Sequence, residues 1–485
     1  MSTPESTTRP GAVVATLAFA GTTAAVMQTL VTPLIAELPQ ILNTTSGNAA
    51  WVITVTLLVA GVAVPIAGRL GDMLGKRTML LACSVPLIAG SIVCALSSSV
   101  VPMIVGRGMQ GLGMGMVPLG IALLRDVVPA ARLSSSIALV SASMGIGGGL
   151  GLPIAAAVAE YASWRVLFWG SAVLALIVAT LIYTFVPTTP AAAKGQRFDY
   201  PGALGLAVGL VSLLLAISKG ADWGWTSATT LILFAVAVLS LLSWGFWETR
   251  TTDPLVDLRT TARPRVLVTN IASVFVGIGM YAQMLVFPQL LQFPSATGHG
   301  LGQSMLATGL WMAPAGLVMM VISPVGGKLI DSRGPKAVLS LGAIIIAAGY
   351  GLSLFLMGDA WGLMVSGIVI SGGVALAYGS MPALIMGAVP ISETAAANGF
   401  NTLMRSLGTT IGSAVIGVVL AQMTIDLGGF SLASEDGFRV ALMLGAGVSL
   451  LAAVLAALIP AAQPVATPTT PAADLTKEPA PQAAH

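Results

Sequence analysis

Apolar residues run through this chain in long blocks rather than in alternation. Fourteen blocks stand out, near 12–36, 49–67, 79–97, 101–124, 135–159, 164–187, 201–218, 228–247, 266–291, 304–327, 337–357, 361–388, 395–422 and 438–460. A helix needs roughly 20 mostly apolar residues to cross the hydrocarbon of a bilayer. Backbone groups in lipid must pair within their own segment, so each block predicts a helix. The period-two pattern of strands is absent, and no strand is expected. The pattern therefore predicts an all-α integral membrane protein with 14 transmembrane helices.

The polar residues between the blocks carry an internal repeat. Gly68-Arg69-Leu70-Gly71-Asp72-Met73-Leu74-Gly75-Lys76-Arg77 returns as Gly327-Lys328-Leu329-Ile330-Asp331-Ser332-Arg333-Gly334-Pro335-Lys336. Gly68, Leu70, Asp72, Gly75, Arg77 and Leu80 stand at one constant offset from Gly327, Leu329, Asp331, Gly334, Lys336 and Leu339. A charged string repeated within an apolar chain indicates two halves on one plan, as in many transporters. Each string is expected to be a loop between the second and third helix of its half. Six helices per half leaves two over, 201–218 and 228–247. A Pro/Ala/Thr linker (Pro187 to Arg197) and a charged linker (Glu248 to Arg265) set these apart, with Trp223 and Trp225 between them as interfacial anchors. The expected organisation is a segment 1–11, a six-helix half 12–187, a two-helix insert 188–265, a second half 266–460 and a disordered tail 461–485.

Composition agrees: 56% of the 485 residues are hydrophobic and 8% charged, where a soluble domain carries about 25% charged residues. The 56 glycines suit helices that pack closely in lipid. A net charge of +3 gives no basis for nucleic-acid binding. Two His (His299, His485) and two Cys in one apolar segment (Cys83, Cys94) build neither a metal centre nor a disulfide framework. Of the 21 Lys and Arg, sixteen fall on the side of the N-terminus if the spans alternate. Arg165, Lys219 and Arg439 fall on the other, and Arg107 and Arg405 lie inside spans. The positive-inside rule then puts both termini in the cytoplasm. The first block is too long for a signal-peptide core and reads as an uncleaved span.

The Gly68–Arg77 string resembles the signature motif of the major facilitator superfamily, G-x-L-x-D-x-x-G-[RK]-[RK]. Arg107-Gly108-Met109-Gln110-Gly111-Leu112-Gly113 is similar to that superfamily's fourth-helix motif, R-x-x-Q-G-x-G. Fourteen spans with two between the halves resemble its drug:proton antiporter branch, as does Asn401-Thr402-Leu403-Met404-Arg405-Ser406-Leu407-Gly408. The resemblance covers the chain apart from its tails. It implies a conformational switch at Gly68, Asp72, Gly75 and Arg77, with Gly327, Asp331, Gly334 and Lys336 as the second copy. Asp72 would then lie near the positive end of a neighbouring helix. It also implies a part for Arg107 and Gln110 in proton coupling. The residue chemistry leaves a second role open, since an Arg inside a span can instead tie helices together through backbone carbonyls.

Two departures qualify the resemblance. Gly145, Gly149 and Pro153 share one helix stripe and suit close packing, but the branch's G-x-x-x-G-P-x-x-G-G has Pro where this chain has Leu150. The branch also carries Asp in a D-x-T pattern on the first span, where this chain reads Met27-Gln28-Thr29. No Asp or Glu falls deep inside a predicted span, which leaves Glu37 and Glu160, near outer span ends, as candidate proton carriers or as solvated loop-end residues. The residues expected to face a midplane site between the halves are Gln28, Thr29, Tyr281, Gln283, Trp311, Tyr378, Asn401 and Arg405. With 22 Met, such a cavity suits hydrophobic or amphipathic compounds. Two buried Arg and no central acid favour neutral or anionic ones.

The glycine run Gly111 to Gly115 has no strand before it and is not a nucleotide loop. No catalytic set, ATP motif or cofactor motif occurs, so an ion gradient is the expected driving force. The reading is a proton-coupled efflux transporter for drugs or similar small compounds. Its expected partners are substrate, protons and lipid, with no cofactor and no nucleic acid, and it is expected to be a monomer in a bacterial plasma membrane. Two alternatives stay open: transport without protons or organic-anion symport, and a sensor or scaffold that has lost transport.

Overall fold

The computed structural model describes residues 10–31, 34, 38–427 and 430–460. The first half comprises α1 (Pro10–Thr29), the short α2 (Leu38–Ile41), α3 (Ser46–Leu74), α4 (Lys76–Leu96), α5 (Val100–Leu112), α6 (Met116–Val127), α7 (Ala130–Tyr161) and α8 (Arg165–Phe185). The insert is α9 (Tyr200–Trp223) and α10 (Ala228–Glu248), followed by the short α11 (Leu258–Thr261). The second half comprises α12 (Pro264–Gln292), α13 (Met305–Arg333), α14 (Pro335–Leu356), α15 (Ala360–Met386), α16 (Thr394–Gln422) and α17 (Glu435–Leu458).

Among the described residues, thirteen helices are long and apolar enough to cross a membrane. The fourth expected span differs, because α5 and α6 are joined by a 3-10 turn at Gly113–Gly115. Counted as one interrupted span, it brings the total to fourteen. Glycines bring its backbone against its neighbours: a Cβ at Gly111 would lie 2.7 Å from the Thr56 carbonyl oxygen, and one at Gly113 2.8 Å from that of Cys83.

The repeated strings are helix rather than loop. Gly68 through Leu74 complete α3, and α4 begins at Lys76. Gly327 through Arg333 likewise complete α13. The turn is confined to Gly75 (φ 97°) and Gly334 (φ 80°), in the left-handed region that glycine alone enters without penalty. The expected loop fails because Gly68, Gly71 and Asp72 are buried on one helix face, and nothing before Gly75 interrupts it.

The expectation of no strand is also corrected. β1 (Thr424–Leu427) pairs antiparallel with β2 (Phe430–Ala433), Leu427 opposite Phe430. Thr-Ile-Asp-Leu and Phe-Ser-Leu-Ala flank Gly428-Gly429 in the sequence, a hairpin signal too short to register in a reading built on 20-residue blocks.

Each half has its own apolar core. One includes Leu17, Leu80, Leu119 and Val178; the other includes Phe287, Leu339, Ile370 and Phe438. Two cross-half helix pairs, α3 with α16 and α7 with α13, lead the contacts that join them, with α7–α15 and α6–α16 beside them. The repeat relates these pairs, since α3 corresponds to α13. Glycine sets the closeness of α7 and α13. A Cβ on Gly149 would lie 2.7 Å from Gly316 Cα, one on Gly309 2.8 Å from Pro153 Cα, and one on Gly145 would strike the Met319 sulfur. On the opposite side of α7, Gly147 and Gly151 press on Ala25 and Thr29 of α1. The insert rests on α3 and α16 through Leu206, Leu210, Trp244, Leu255, Val256 and Leu403, with Val62 and Ile66 at the margin.

Gly149→Leu should therefore overpack the α7–α13 seam, at about 1–3 kcal/mol. The expected result is a thermal midpoint several degrees lower for the purified protein. Gly170→Leu should leave it unchanged, because nothing lies within 4 Å of a Cβ there.

Candidate functional site

The N-terminus of α16 exposes backbone N–H groups that its own turns cannot satisfy. Its N-cap residue, Glu393, makes no side-chain capping bond. The cap comes from the other half. Asp72, fully buried, accepts hydrogen bonds from Ala395 N–H (3.0 and 3.2 Å) and Ala396 N–H (2.9 Å). A carboxylate there meets both the free donors and the positive end of the helix dipole. Gly68 permits the approach, since a Cβ on it would sit 2.5 Å from the Ala395 carbonyl oxygen. Farther along the pair, Gly399 packs on Val64 and Pro65, and Gly61 faces Leu403.

Three further cations hold this end. Lys76 pairs with Asp126 at 2.6 Å. Arg125 donates to Thr394 Oγ1 at 2.9 Å. Arg263 donates to the Ala388 carbonyl at 3.1 Å. Arg77 turns away from the seam, to Thr188 Oγ1 (2.6 Å) and the Tyr183 carbonyl (2.7 Å). Arg69 is buried beside Asp72, with its Nε unpartnered.

The second copy is not engaged in this way. Asp331 is exposed, and Lys336 is partly exposed. Gly327 does pack closely, its hydrogen facing the Ser135 backbone of α7. α7 itself starts without a side-chain cap. One copy thus binds the helix end across the seam while the other leaves its counterpart unbound.

Arg107 is 1% exposed, and its Nε and Nη1 find their partners inside the first half. Its Nε donates to the Val52 carbonyl (3.1 Å), and its Nη1 to the Met27 carbonyl (2.9 Å) and Gln110 Oε1 (2.7 Å). Gln110 Nε2 donates on to Ser91 Oγ (2.8 Å), and Thr56 Oγ1 to the Arg107 carbonyl (3.1 Å). The guanidinium thus ties α1, α3 and α5. Its contact on α1 is the backbone of Met27, the position where the resemblance in sequence would have placed Asp. Glu37 lies outside the described residues, as does the side chain of Glu160.

Two small cavities lie along the seam and meet at Met144. One, of about 60 Å³, is lined by Gln28, Met114, Thr402, Ser406 and Thr410 among others. The other, of about 70 Å³, is lined by Met144, Met280, Gln283, Met284, Met312 and Met319 among others. Arg405 stands beside them, its guanidinium 4.4 Å from the Tyr378 ring centroid and its Nη2 3.7 Å from Met144 Sδ.

The structure thus gathers Gln28, Gln283, Tyr378 and Arg405 near one place, sets Trp311 in an adjoining small cavity with Gln283 and Met312, and turns Thr29, Asn401 and Tyr281 to other partners. Thr29 bonds back to Ala25 and Val26 carbonyls of its own helix and packs on Gly151. Asn401 is buried, donating to Asn270 Oδ1 (2.9 Å) and Ser273 Oγ (2.8 Å) within the second half. Tyr281 faces Ser413 of α16. Trp311 is joined to Gln303 (3.2 Å) and stacks edge-on against Trp361. Thr29 and Asn401 are drawn elsewhere for one reason, that a polar residue in a span satisfies itself on the nearest carbonyl or polar neighbour unless packing prevents it. Met among other apolar residues carries no positional signal, so the sequence alone does not mark Met144, Met280, Met284, Met312 and Met319 as lining.

Comparison with known proteins places this geometry. The family model described as Major Facilitator Superfamily matches residues 17–413, and again 269–483. The chain is 25% identical over 389 residues to the Multidrug transporter protein MdtP of Bacillus subtilis (strain 168), covering 79% of this chain and 71% of that one. It is 28% identical over 377 residues to the Multidrug resistance protein Stp of Mycobacterium tuberculosis (strain CDC 1551 / Oshkosh), covering 76% and 68%. The crystal structure of the human organic anion transporter MFSD10 (TETRAN) shares the fold, with a TM-score of 0.66 at 17% identity over 92% of this chain and 99% of that one.

Asp72→Ala removes the acceptor for two buried amides, a loss of about 1–3 kcal/mol. The closed end of the α3–α16 seam should then open roughly 5- to 150-fold more often than in wild type. Spin-label distances across that end measure it. Asp331→Ala should leave those distances unchanged.

Proposed function

The chain belongs to the Major Facilitator Superfamily, and we propose that it exports drugs or other small hydrophobic or amphipathic compounds by proton-coupled alternating access. The observation that carries this reading is the trans cap, an acid of one half closing a helix of the other. Such a contact forms only while that end is shut, so it biases which side is open. Sixteen of 21 Lys and Arg fall on the Asp72 side if the spans alternate, which makes it the cytoplasmic side and the Asp72 contact an inner gate. The protein then sits in a bacterial plasma membrane with both termini inside, and works as a monomer.

Substrate class follows from the lining. Flexible, polarizable Met side chains accommodate varied apolar shapes. Arg405 stands over Tyr378, among the described residues without an acidic partner in reach, which favours neutral or anionic compounds over cations. The seam cavities are smaller than a drug, so substrate enters as the halves part. The relatives named as multidrug transporters support the direction of transport.

A proton gradient supplies enough work. Moving one charge through 100 mV is worth about 2.3 kcal/mol, so roughly 150 mV sustains about a 300-fold substrate gradient. Arg107 and Gln110 carry the coupling role, with Glu37 and Glu160 as the acids that take up the proton. A second reading, transport without protons or symport of an organic anion, has one observation in its favour. Arg107 is satisfied by a backbone carbonyl at Met27 rather than by a carboxylate.

Inside-out vesicles carrying the protein should take up a fluorescent hydrophobic anion when a pH gradient is imposed. Arg107→Ala should cut that uptake about tenfold or more, equivalent to 1.4 kcal/mol. Saturable uptake that ignores the gradient would select the second reading. Arg405→Ala should raise the half-saturation concentration while leaving the gradient dependence intact.

A further inference from the structure

The two insert helices hold a pair of buried acids that the transport cycle above does not use. Glu248, the last residue of α10, is 2% exposed, and neither of its carboxyl oxygens has a hydrogen-bond partner. Asp199, the N-cap of α9, is 6% exposed. Both carboxyl groups converge on Gly202. A Cβ there would lie 2.8 Å from Glu248 Oε1 and would collide with the Asp199 carboxylate.

The two acids are not equivalent. Asp199 accepts from Gly202 N–H (2.9 Å) and Trp247 Nε1–H (3.0 Å), the partners that suit an anion at a helix N-terminus. Glu248 has no donor in hydrogen-bond geometry: the Leu255 and Val256 amides and the Trp244 indole approach it but leave both its oxygens and the indole Nε1 unpaired. It is faced by Asp199 from α9, by the backbone of Leu255 and Val256 from the following linker, and by the indole of Trp244 from its own helix. Among the described residues no cation is set against it, and the nearby Arg250 stacks on Phe246 at 3.9 Å instead. Two adjacent carboxylates without a cation cannot both be charged in a buried site.

We propose that Asp199 and Glu248 form a proton-binding site, with the proton held on Glu248 beside the Asp199 carboxylate, and that its occupancy keeps the inner gate shut. On release the proton passes to cytoplasmic water and leaves two facing anions. The route to the gate is short. Leu255 and Val256 share an apolar cluster with Trp244 of α10 and Leu403 of α16. The next residue, Asp257, caps α11, and Thr260 and Asp257 face Glu393 at the start of α16. Arg263 then bonds to the Ala388 carbonyl. Splitting the acid pair therefore pushes on the segment that pins the gate. The site does not depend on proton-coupled export, since a facilitator without coupling would be gated by it in the same way.

Infrared difference spectra of the full-length protein in nanodiscs, recorded on raising the pH from mildly acidic to alkaline, test the site. A protonated-carboxyl band should titrate in wild type and in Asp72→Asn, and be missing in Glu248→Gln. Asp199→Asn should shift it, which keeps the test valid if Glu248→Gln folds poorly. A band set unchanged in Glu248→Gln, or in Asp199→Asn, overturns the site. Spin labels at Thr78→Cys and Ile391→Cys, both exposed positions, read the gate. The distance should lengthen at alkaline pH in wild type and stay short in Glu248→Gln. Equal pH dependence in the two proteins, or none in wild type, overturns the link to the gate.

Discussion

A helix that begins inside a membrane protein has donors it cannot satisfy, and here the remedy for α16 comes from another bundle. Asp72 is held by two amides of α16, so its burial is compensated only while the halves touch at that end. Everything near it serves that approach. Gly68 has no side chain to separate the helices, Gly75 turns the chain immediately afterwards, and Arg125 steadies Thr394 at the start of the capped helix.

The repeat makes the asymmetry informative. Both halves carry the same string, and the α3–α16 and α7–α13 pairs are glycine-packed. Yet Asp72 is buried and bonded while Asp331 is exposed. Both strings end the second helix of their half and lie on the same side of the spans, so the asymmetry distinguishes two seams at one end: α3–α16 is pinned by its acid, and α7–α13 is not. Arg107 belongs to a different layer. With contacts on Met27, Val52 and Gln110, it stiffens the first half as a body rather than joining the two.

The sequence disclosed the spans and the two-half plan well, because a 20-residue apolar block in lipid has only one satisfactory backbone. It also placed Asp72 near a positive helix end. It misjudged where helices stop. Gly68 and Asp72 read as loop because of their charge and glycine content, whereas their burial against α16 makes them helix. The hairpin at Thr424–Ala433 escaped for lack of length. The substrate-facing residues were half legible. Gln28 and Arg405 lie by the seam, but Thr29 and Asn401 bond elsewhere, and nothing local distinguishes the two outcomes. Glu248 looked like one charge in a polar linker, and only its packing against Asp199 shows otherwise.

Hydrogen exchange at the start of α16 tests the central claim most directly. In the reconstituted protein, the peptide covering 391–400 should be protected in wild type and exchange faster in Asp72→Asn, together with the facing α3 peptide covering 57–66. Unchanged protection of 391–400 in Asp72→Asn would mean that the helix end is satisfied without the acid, and would contradict the account.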